Sequence, residues 1–421
     1  MRAYYSLYDR LLSSQSLKAA FRKVKSAKGA AGIDGQSVYD FAKQEDVNVA
    51  QLVHELKTKT YRPHPNRQVS IPKDNGGERL LGIPCVRDRV VQQALLNILQ
   101  PIFEPQFHPS SYAYRPGRGC HQAIAKTTKF IREHELVWVV DMDLSRCFDT
   151  LDHELILKAF RKRIADGSIL NLIRLFLTSG VMLDEGWRES EIGSPQGGVI
   201  SPLISNVYLD AFDQEMKRRG HRIVRYADDI VILKKSKSAA ENALEQAKAI
   251  LENDLRLTVN REKTRLLHAR EGIPYLGVII RRTTTSIQPK RLARFKEKVK
   301  AITRRNSPVN VARVIKDLNP IVRGFANYFR VANCKSVFTS LMQWMRRRLR
   351  AKQLKLWKKP SRLHRRLRQL GYKGDFKAIS MTRWRNSASP LANYAIPNAE
   401  LMKLGLYDML SVDIGVLPQV A

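Results

Sequence analysis

Arg225-Tyr226-Ala227-Asp228-Asp229 sets two adjacent carboxylates between apolar runs, Ile223-Val224 before and Ile230-Val231-Ile232-Leu233 after. Branched apolar residues on both sides predict two short buried strands with the acids at the tip of a hairpin. Adjacent carboxylates repel, and a hard divalent cation such as Mg²⁺ offsets that repulsion through oxygen ligands. A plain surface turn fits the same residues, because Asp side chains bond nearby backbone. A second acidic strand end lies upstream, Val137-Trp138-Val139-Val140-Asp141-Met142-Asp143-Leu144. Residues two apart on a strand share a face, so Asp141 and Asp143 project together. Acids after a strand can instead cap a helix, and Asp152 is an N-cap candidate for a helix opening near His153. The four cysteines, Cys85, Cys120, Cys147 and Cys334, form no Cys-x-x-Cys pair and no zinc-spaced cluster, which suits a reducing compartment.

Other stretches carry polar groups suited to nucleotides or nucleic acid. Strands 67–73 and 78–84 flank Asp74-Asn75-Gly76-Gly77, which predicts a hairpin with Lys73 and Arg79 near its tip. Such a tip can reach a triphosphate, or can be an ordinary solvated turn. Ser111-Tyr112-Ala113-Tyr114-Arg115-Pro116-Gly117-Arg118-Gly119 interleaves aromatics, Arg and Gly, a composition that suits a nucleic-acid strand or aromatic core packing. Gly193 to Leu203, with Pro195-Gln196-Gly197-Gly198 inside, is a punctuated turn opening a helix to about Arg219. Glycines there admit a ligand closely, and Gln196 offers both donor and acceptor. The loop from Lys28 to Gly35, with Gly29, Gly32 and Gly35, is either a phosphate-backbone contact or a connector.

These groups need elements to hold them. Apolar spacing predicts helices over 3–25, 47–60, from Arg87 to Pro101, 154–180, and from Ser238 to Leu255. Basic helices follow over 290–305 and 309–330, and Trp344 to Arg350 belongs to a third. The net charge is +35, so polyanions are the first partners to expect. From Lys290 to Arg385 there are 29 Lys/Arg against three acids, a net of +26 in 96 residues, and phosphate binding explains such a run better than a solvated face. No apolar stretch approaches the roughly 20 residues of a membrane span, and the N-terminus lacks a signal-peptide core.

The order of these motifs resembles that of reverse transcriptases, closest to bacterial group II intron-encoded and group II intron-like enzymes. The blocks run from Ile71 to Gly277: the basic hairpin, the Asp143 strand end, the Gln196 turn, the Asp228 hairpin, Lys263 and Leu276-Gly277. Ile321 to Arg330 resembles the maturase-type thumb motif. The resemblance implies an α+β right-hand polymerase. Its parts would be an N-terminal extension (1–40), fingers and a palm with a small antiparallel sheet (41–285), a three-helix thumb or maturase domain (286–358), and a basic DNA-binding segment (359–421). It implies RNA-directed DNA synthesis by two-metal phosphoryl transfer.

By the same resemblance Asp143, Asp228 and Asp229 are catalytic. Asp143, Asp228 and the Leu144 backbone carbonyl would hold two Mg²⁺ ions, for which Mn²⁺ can substitute. Asp141 would be no ligand. Lys73, Arg79, Phe148, Pro195, Gln196 and Lys263 would contact the dNTP, with Phe148 as the gate against a ribose 2′-OH. Gly29, Gly32, Arg115, Arg118, Arg346, Arg347 and Arg350 would contact nucleic acid. Expected partners are an RNA template with a DNA primer, dNTPs, group II intron RNA and target DNA, with no membrane, in the bacterial cytoplasm near the nucleoid, as monomer or homodimer. No cysteine follows Cys334, so no Cys/His-rich endonuclease domain is expected. Three other readings keep parts of this pattern: a domesticated enzyme in DNA repair, a non-catalytic maturase, and an RNA-dependent RNA polymerase. The intact acids argue against the second and Phe148 against the third.

Overall fold

The structure, a computed structural model, describes residues 3–72, 78–183, 186–188, 192–193 and 197–420. The chain divides into two compact units, Met1–Leu267 and His268–Ala421. No helix among the described residues is long and apolar enough to cross a membrane.

The first unit opens with two helices, Tyr8–Leu11 and Ser14–Ala27, rather than the single helix expected over 3–25. Ser13 is extended (φ −82°, ψ 126°) and breaks the run. The Asp166 carboxylate holds the start of the first helix from afar. Its Oδ2 accepts from Leu7 N and Tyr8 N, both at 2.8 Å. Its Oδ1 accepts from Ser168 N and Ile169 N, capping the helix Gly167–Thr178. That cap is also why the expected helix over 154–180 is two helices, His153–Arg161 and Gly167–Thr178. Asp152 caps the first through Leu155 N at 2.9 Å.

The basic hairpin is present as strands Asn66–Pro72 and Glu78–Ile83, paired antiparallel from Arg67 opposite Ile83 to Pro72 opposite Glu78. Strand Asn66–Pro72 also pairs in parallel with Val181–Leu183, which completes a four-stranded sheet with Gly186–Arg188. The helix Val86–Phe103 runs on past Pro101 instead of ending there. Proline so close to the C-terminal end removes one hydrogen bond from the last turns and leaves the rest intact.

The second sheet positions the acids. Its strand order is Arg222–Tyr226, Asp229–Lys234, Trp138–Met142, Arg265–His268. Trp138–Met142 sits antiparallel to Asp229–Lys234, with Asp141 opposite Val231 and Met142 opposite Ile230. The strand interiors are fully buried, Val139, Val140, Val224, Ile230, Val231, Ile232 and Leu233 among them. Helices Cys120–Arg132, Ser201–Arg218 and Lys237–Ala249 pack on this sheet. The last of these passes into a π-turn, Ile250–Asp254.

The second unit pairs a small antiparallel sheet, Ile273–Tyr275, Val278–Ile280 and Thr285–Ile287, with three long helices, Pro289–Ile302, Val311–Phe329 and Lys335–Trp357. Phe325 organises the helical core. It stacks on Phe295 at 4.1 Å between centroids and lies 4.6 Å from Phe329. Shorter helices follow, Pro360–Gln369, Pro390–Ala395 and Asn398–Lys403.

Asp166 accepts from four backbone N–H groups on two elements, so Asp166→Ala leaves all four without their acceptor. An expected loss of about 2 to 3 kcal/mol follows from the lost cap and the added orphan donors. Urea unfolding measures it, and a change below about 0.5 kcal/mol would contradict the bridging role.

Candidate functional site

The hairpin Arg222–Tyr226 and Asp229–Lys234 closes with Tyr226 opposite Asp229, which leaves Ala227 and Asp228 as its two-residue turn. Extending the neighbouring register by one residue, from Met142 opposite Ile230, sets Asp143 opposite Asp229. Two chain segments 85 positions apart in sequence thus bring their acids to one end of the sheet. The electrostatics report the crowding. Burial, then the charges of Asp228, Asp143 and Asp141, pushes the Asp229 carboxyl up to about 7. Burial and then Asp143 pushes Asp141 up to about 6. The Cys147 thiol is raised to about 12 by burial first and Asp228 second, so the turn Cys147–Asp149 borders the same acids.

Lys263 answers part of this charge. Lys263 Nζ donates to Asp143 Oδ2 at 2.8 Å, and that bond holds its ammonium above the usual lysine range. Asn260 Nδ2 donates to the same oxygen at 3.3 Å, and its Oδ1 accepts from Lys263 N. Backbone bonds fix this segment to the acid strand: Asn260 N to Asp143 O and Ser145 N to Thr258 O, both 2.9 Å. Asn260 was not foreseen from the sequence. The one available signal was its spacing three residues before Lys263.

The donor set at this corner is carboxylate oxygen from two segments, and burial with the neighbouring acids raises the proton affinity of Asp229 and Asp141. Hard oxygen donors and unbalanced negative charge fit a divalent cation. Elsewhere in the unit, ligand atoms of His64, Cys85 and Asp88 lie within 4.8 Å of one another. The Asp88 carboxylate is already engaged there, accepting from Tyr61 Oη at 2.7 Å and His64 N at 3.0 Å. That group ties the chain before the basic hairpin to the start of the helix Val86–Phe103.

The other expected residues divide. Phe148 is half-buried in the single turn after the acid strand. Leu144 follows Asp143 directly and is bridged to Val259. Arg79 lies in strand Glu78–Ile83 opposite Ile71. Lys73, Pro195 and Gln196 lie outside the described residues.

Arg115 does not serve as an accessible phosphate contact. It is 6% exposed, its Nε donates to Glu104 Oε1 at 2.9 Å, and its Nη1 donates to the carbonyls of His108 and Ser111. Arg118 lies over the Tyr112 ring and donates to Pro109 O. Arg350 is likewise turned inward, 7% exposed, with bonds to Ile396 O and Asn398 Oδ1. The buried guanidiniums of Arg115 and Arg350 brace loops.

Gly32 is a packing residue. A Cβ there would come within 2.6 Å of Cys85 Cα. A Cβ on Gly29 would strike Arg89, whose Nη2 donates to Ala30 O at 2.6 Å. The glycine loop is therefore docked on the helix Val86–Phe103. Arg347 is exposed on the helix Lys335–Trp357, and Arg346 is half-buried beside it.

The family model described as "Reverse transcriptase (RNA-dependent DNA polymerase)" matches residues 71–280. A second, "Group II intron, maturase-specific domain", matches residues 292–371. The chain is 37% identical over 302 residues to Protein YkfC of Escherichia coli K12, covering 62% of this chain and 79% of that protein. It is 30% identical over 343 residues to the Group II intron-encoded protein LtrA of Lactococcus lactis subsp. cremoris, covering 65% of this chain. It spans just over half of LtrA's length, 56%. The uncharacterized 91 kDa protein in cob intron of Schizosaccharomyces pombe is 31% identical over 213 residues, 49% of this chain and 25% of that protein. The motif order, the two domain matches and the similarity to YkfC place the chain in the group II intron family of reverse transcriptases, with a maturase-specific domain after the polymerase domain.

Proposed function

We propose that this protein copies RNA, and also DNA, templates by adding dNTPs to a DNA primer at the corner formed by Asp143, Asp228 and Asp229. The convergence of these acids on Lys263 carries the reading. In the reaction the primer 3′-hydroxyl gives up its proton to solvent, its oxygen bonds to the α-phosphorus, the bond from that phosphorus to the bridging oxygen breaks, and pyrophosphate leaves. Asp143, Asp228 and the Leu144 carbonyl would hold two Mg²⁺ ions, or Mn²⁺ in their place, which would supply Lewis-acid stabilisation of the oxygens that gain charge.

The chain's own groups do the rest. Asp143 and Asp228 present carboxylates from separate segments, so the site survives only while the sheet register holds. Asp229 adds negative charge behind them. Lys263, parked on Asp143, is within reach of a triphosphate oxygen and exchanges one anionic partner for another when the nucleotide enters. Phe148 fills the space a ribose 2′-OH would need. Lys73 and Arg79 hold the triphosphate from the hairpin, and Pro195 with Gln196 lines the nucleotide and template. Arg118, Arg346 and Arg347 meet phosphates of the bound strands.

The domain reading is an N-terminal extension over 1–40, fingers and palm over 41–285, thumb over 286–358 and a DNA-binding segment over 359–421. Intron RNA and target DNA are the further partners this basic half serves, in the cytoplasm near the nucleoid.

Primer extension on an RNA template with Mg²⁺ and dNTPs tests the reading. The wild type should extend, and Asp228→Ala should lose more than about 100-fold in rate with template affinity retained. A purified wild type that binds template-primer and never extends would contradict it. Phe148→Ala should raise ribonucleotide use by about 10- to 200-fold relative to dNTP use, the range one steric contact supplies. Unchanged discrimination would remove Phe148 from the gate.

A further inference from the structure

We propose that Arg225 is the positioning residue that sets the turn carrying Asp228. This rests on the polymerase reading of that turn, and the test below separates the two.

Arg225 and Asp213 are both 0% exposed. A buried charge survives only when paired and hydrogen-bonded. The pairing here is a fork. Arg225 Nε donates to both Asp213 oxygens at 2.9 Å, and Nη2 donates to Oδ2 at 2.6 Å. That satisfies the charge and leaves Nη1, which makes two bonds of another kind. It donates to Asn206 Oδ1 and to the Ala227 backbone carbonyl, both at 3.1 Å.

The Ala227 carbonyl belongs to the peptide that leads into Asp228. Ala227 has φ +58°, a left-handed conformation that a non-glycine residue holds only under constraint. Arg225 supplies that constraint from beneath. Its own backbone is fixed as well, with Arg225 N donating to Ser110 O at 2.9 Å and Tyr112 N donating to Arg225 O at 3.0 Å. Asn206 extends the brace by donating to Ala113 O at 2.9 Å. The loop 108–115 that Arg115 holds together is thus the anchor for the guanidinium that orients the acidic turn. An ion pair serving stability alone would need only Asp213. The bond to Ala227 O ties the pair to the direction of Asp228.

Lysine at 225 would keep the charge and reach Asp213, but it lacks the planar fork that bonds Asp213 and Ala227 O together. The experiment compares wild type, Arg225→Lys, Asp213→Asn and Asp228→Ala. Mn²⁺ affinity is read by electron paramagnetic resonance, primer extension on an RNA template by rapid quench, and folding by circular dichroism. Arg225→Lys is expected to fold, to weaken Mn²⁺ binding about 10-fold, to lower kcat at least about 30-fold, and to change the dNTP KM by less than about 3-fold. The second change Ala227→Gly, which removes the left-handed penalty, should return at least about 3-fold of that kcat. Asp213→Asn keeps one acceptor oxygen, and should weaken Mn²⁺ about 3-fold even if Arg225→Lys does not fold. Folded variants that bind Mn²⁺ as the wild type does overturn the positioning role. A wild type that binds Mn²⁺ and fails to extend overturns the polymerase reading instead, while the Mn²⁺ comparison still decides the role of Arg225.

Discussion

Mutual repulsion among Asp141, Asp143, Asp228 and Asp229 is the constraint around which the first unit is arranged. A half-buried corner with several carboxylates is unfavourable in isolation, and it raises Asp229 to about 7 and Asp141 to about 6. The fold tolerates the corner because rigid neighbours impose it. Sheet pairing from Trp138 opposite Lys234 to Met142 opposite Ile230 fixes one acid strand against the other. The backbone bonds from Asn260 and Ser145 fix the segment that carries Lys263. The buried Arg225 sits under the turn. Strain and charge of this sort persist only where the surroundings over-determine the geometry, and such places are typically functional.

Much of this corner was legible in the sequence because it is encoded locally. Branched apolar runs on both sides of the acidic turn predict two buried strands with the acids at a hairpin tip, and the observed turn is Ala227-Asp228. The Asn-Gly signal likewise predicts the paired strands that flank it. What could not be read depends on partners far away in the chain. Arg115 pairs with a Glu only 11 residues upstream, yet its burial rests on a folded loop. Arg350 is claimed by Ile396 and Asn398, 46 and 48 residues on. Asn260 reaches an acid 117 residues away. An arginine in sequence looks the same whether it faces phosphate or a carbonyl. The break before Gly167 escaped for a similar reason, since the Asp166 carboxylate that caps the second helix also holds Leu7 N and Tyr8 N, 159 and 158 residues upstream.

The basic C-terminal third illustrates the same limit on charge counting. Lys352 is fully buried and donates to Arg304 O and Ser307 O. Arg348 donates to Thr303 Oγ1 and lies over the rings of Trp344 and Trp384, with Arg305 also over Trp384. Several cations of the +26 run therefore hold the unit together. Those remaining at the surface, Arg347 among them, set the field that a polyanion meets.

Affinity cleavage with Fe²⁺ and ascorbate tests the cation corner most directly, because hydroxyl radicals cut backbone close to the bound metal. Cuts are expected near 141–144, 227–229 and 260–263, suppressed by excess Mg²⁺ and absent in a variant carrying Asp143→Asn with Asp228→Asn. Cuts confined to the neighbourhood of His64, Cys85 and Asp88, or a pattern unchanged in that variant, would contradict a metal site at the palm acids.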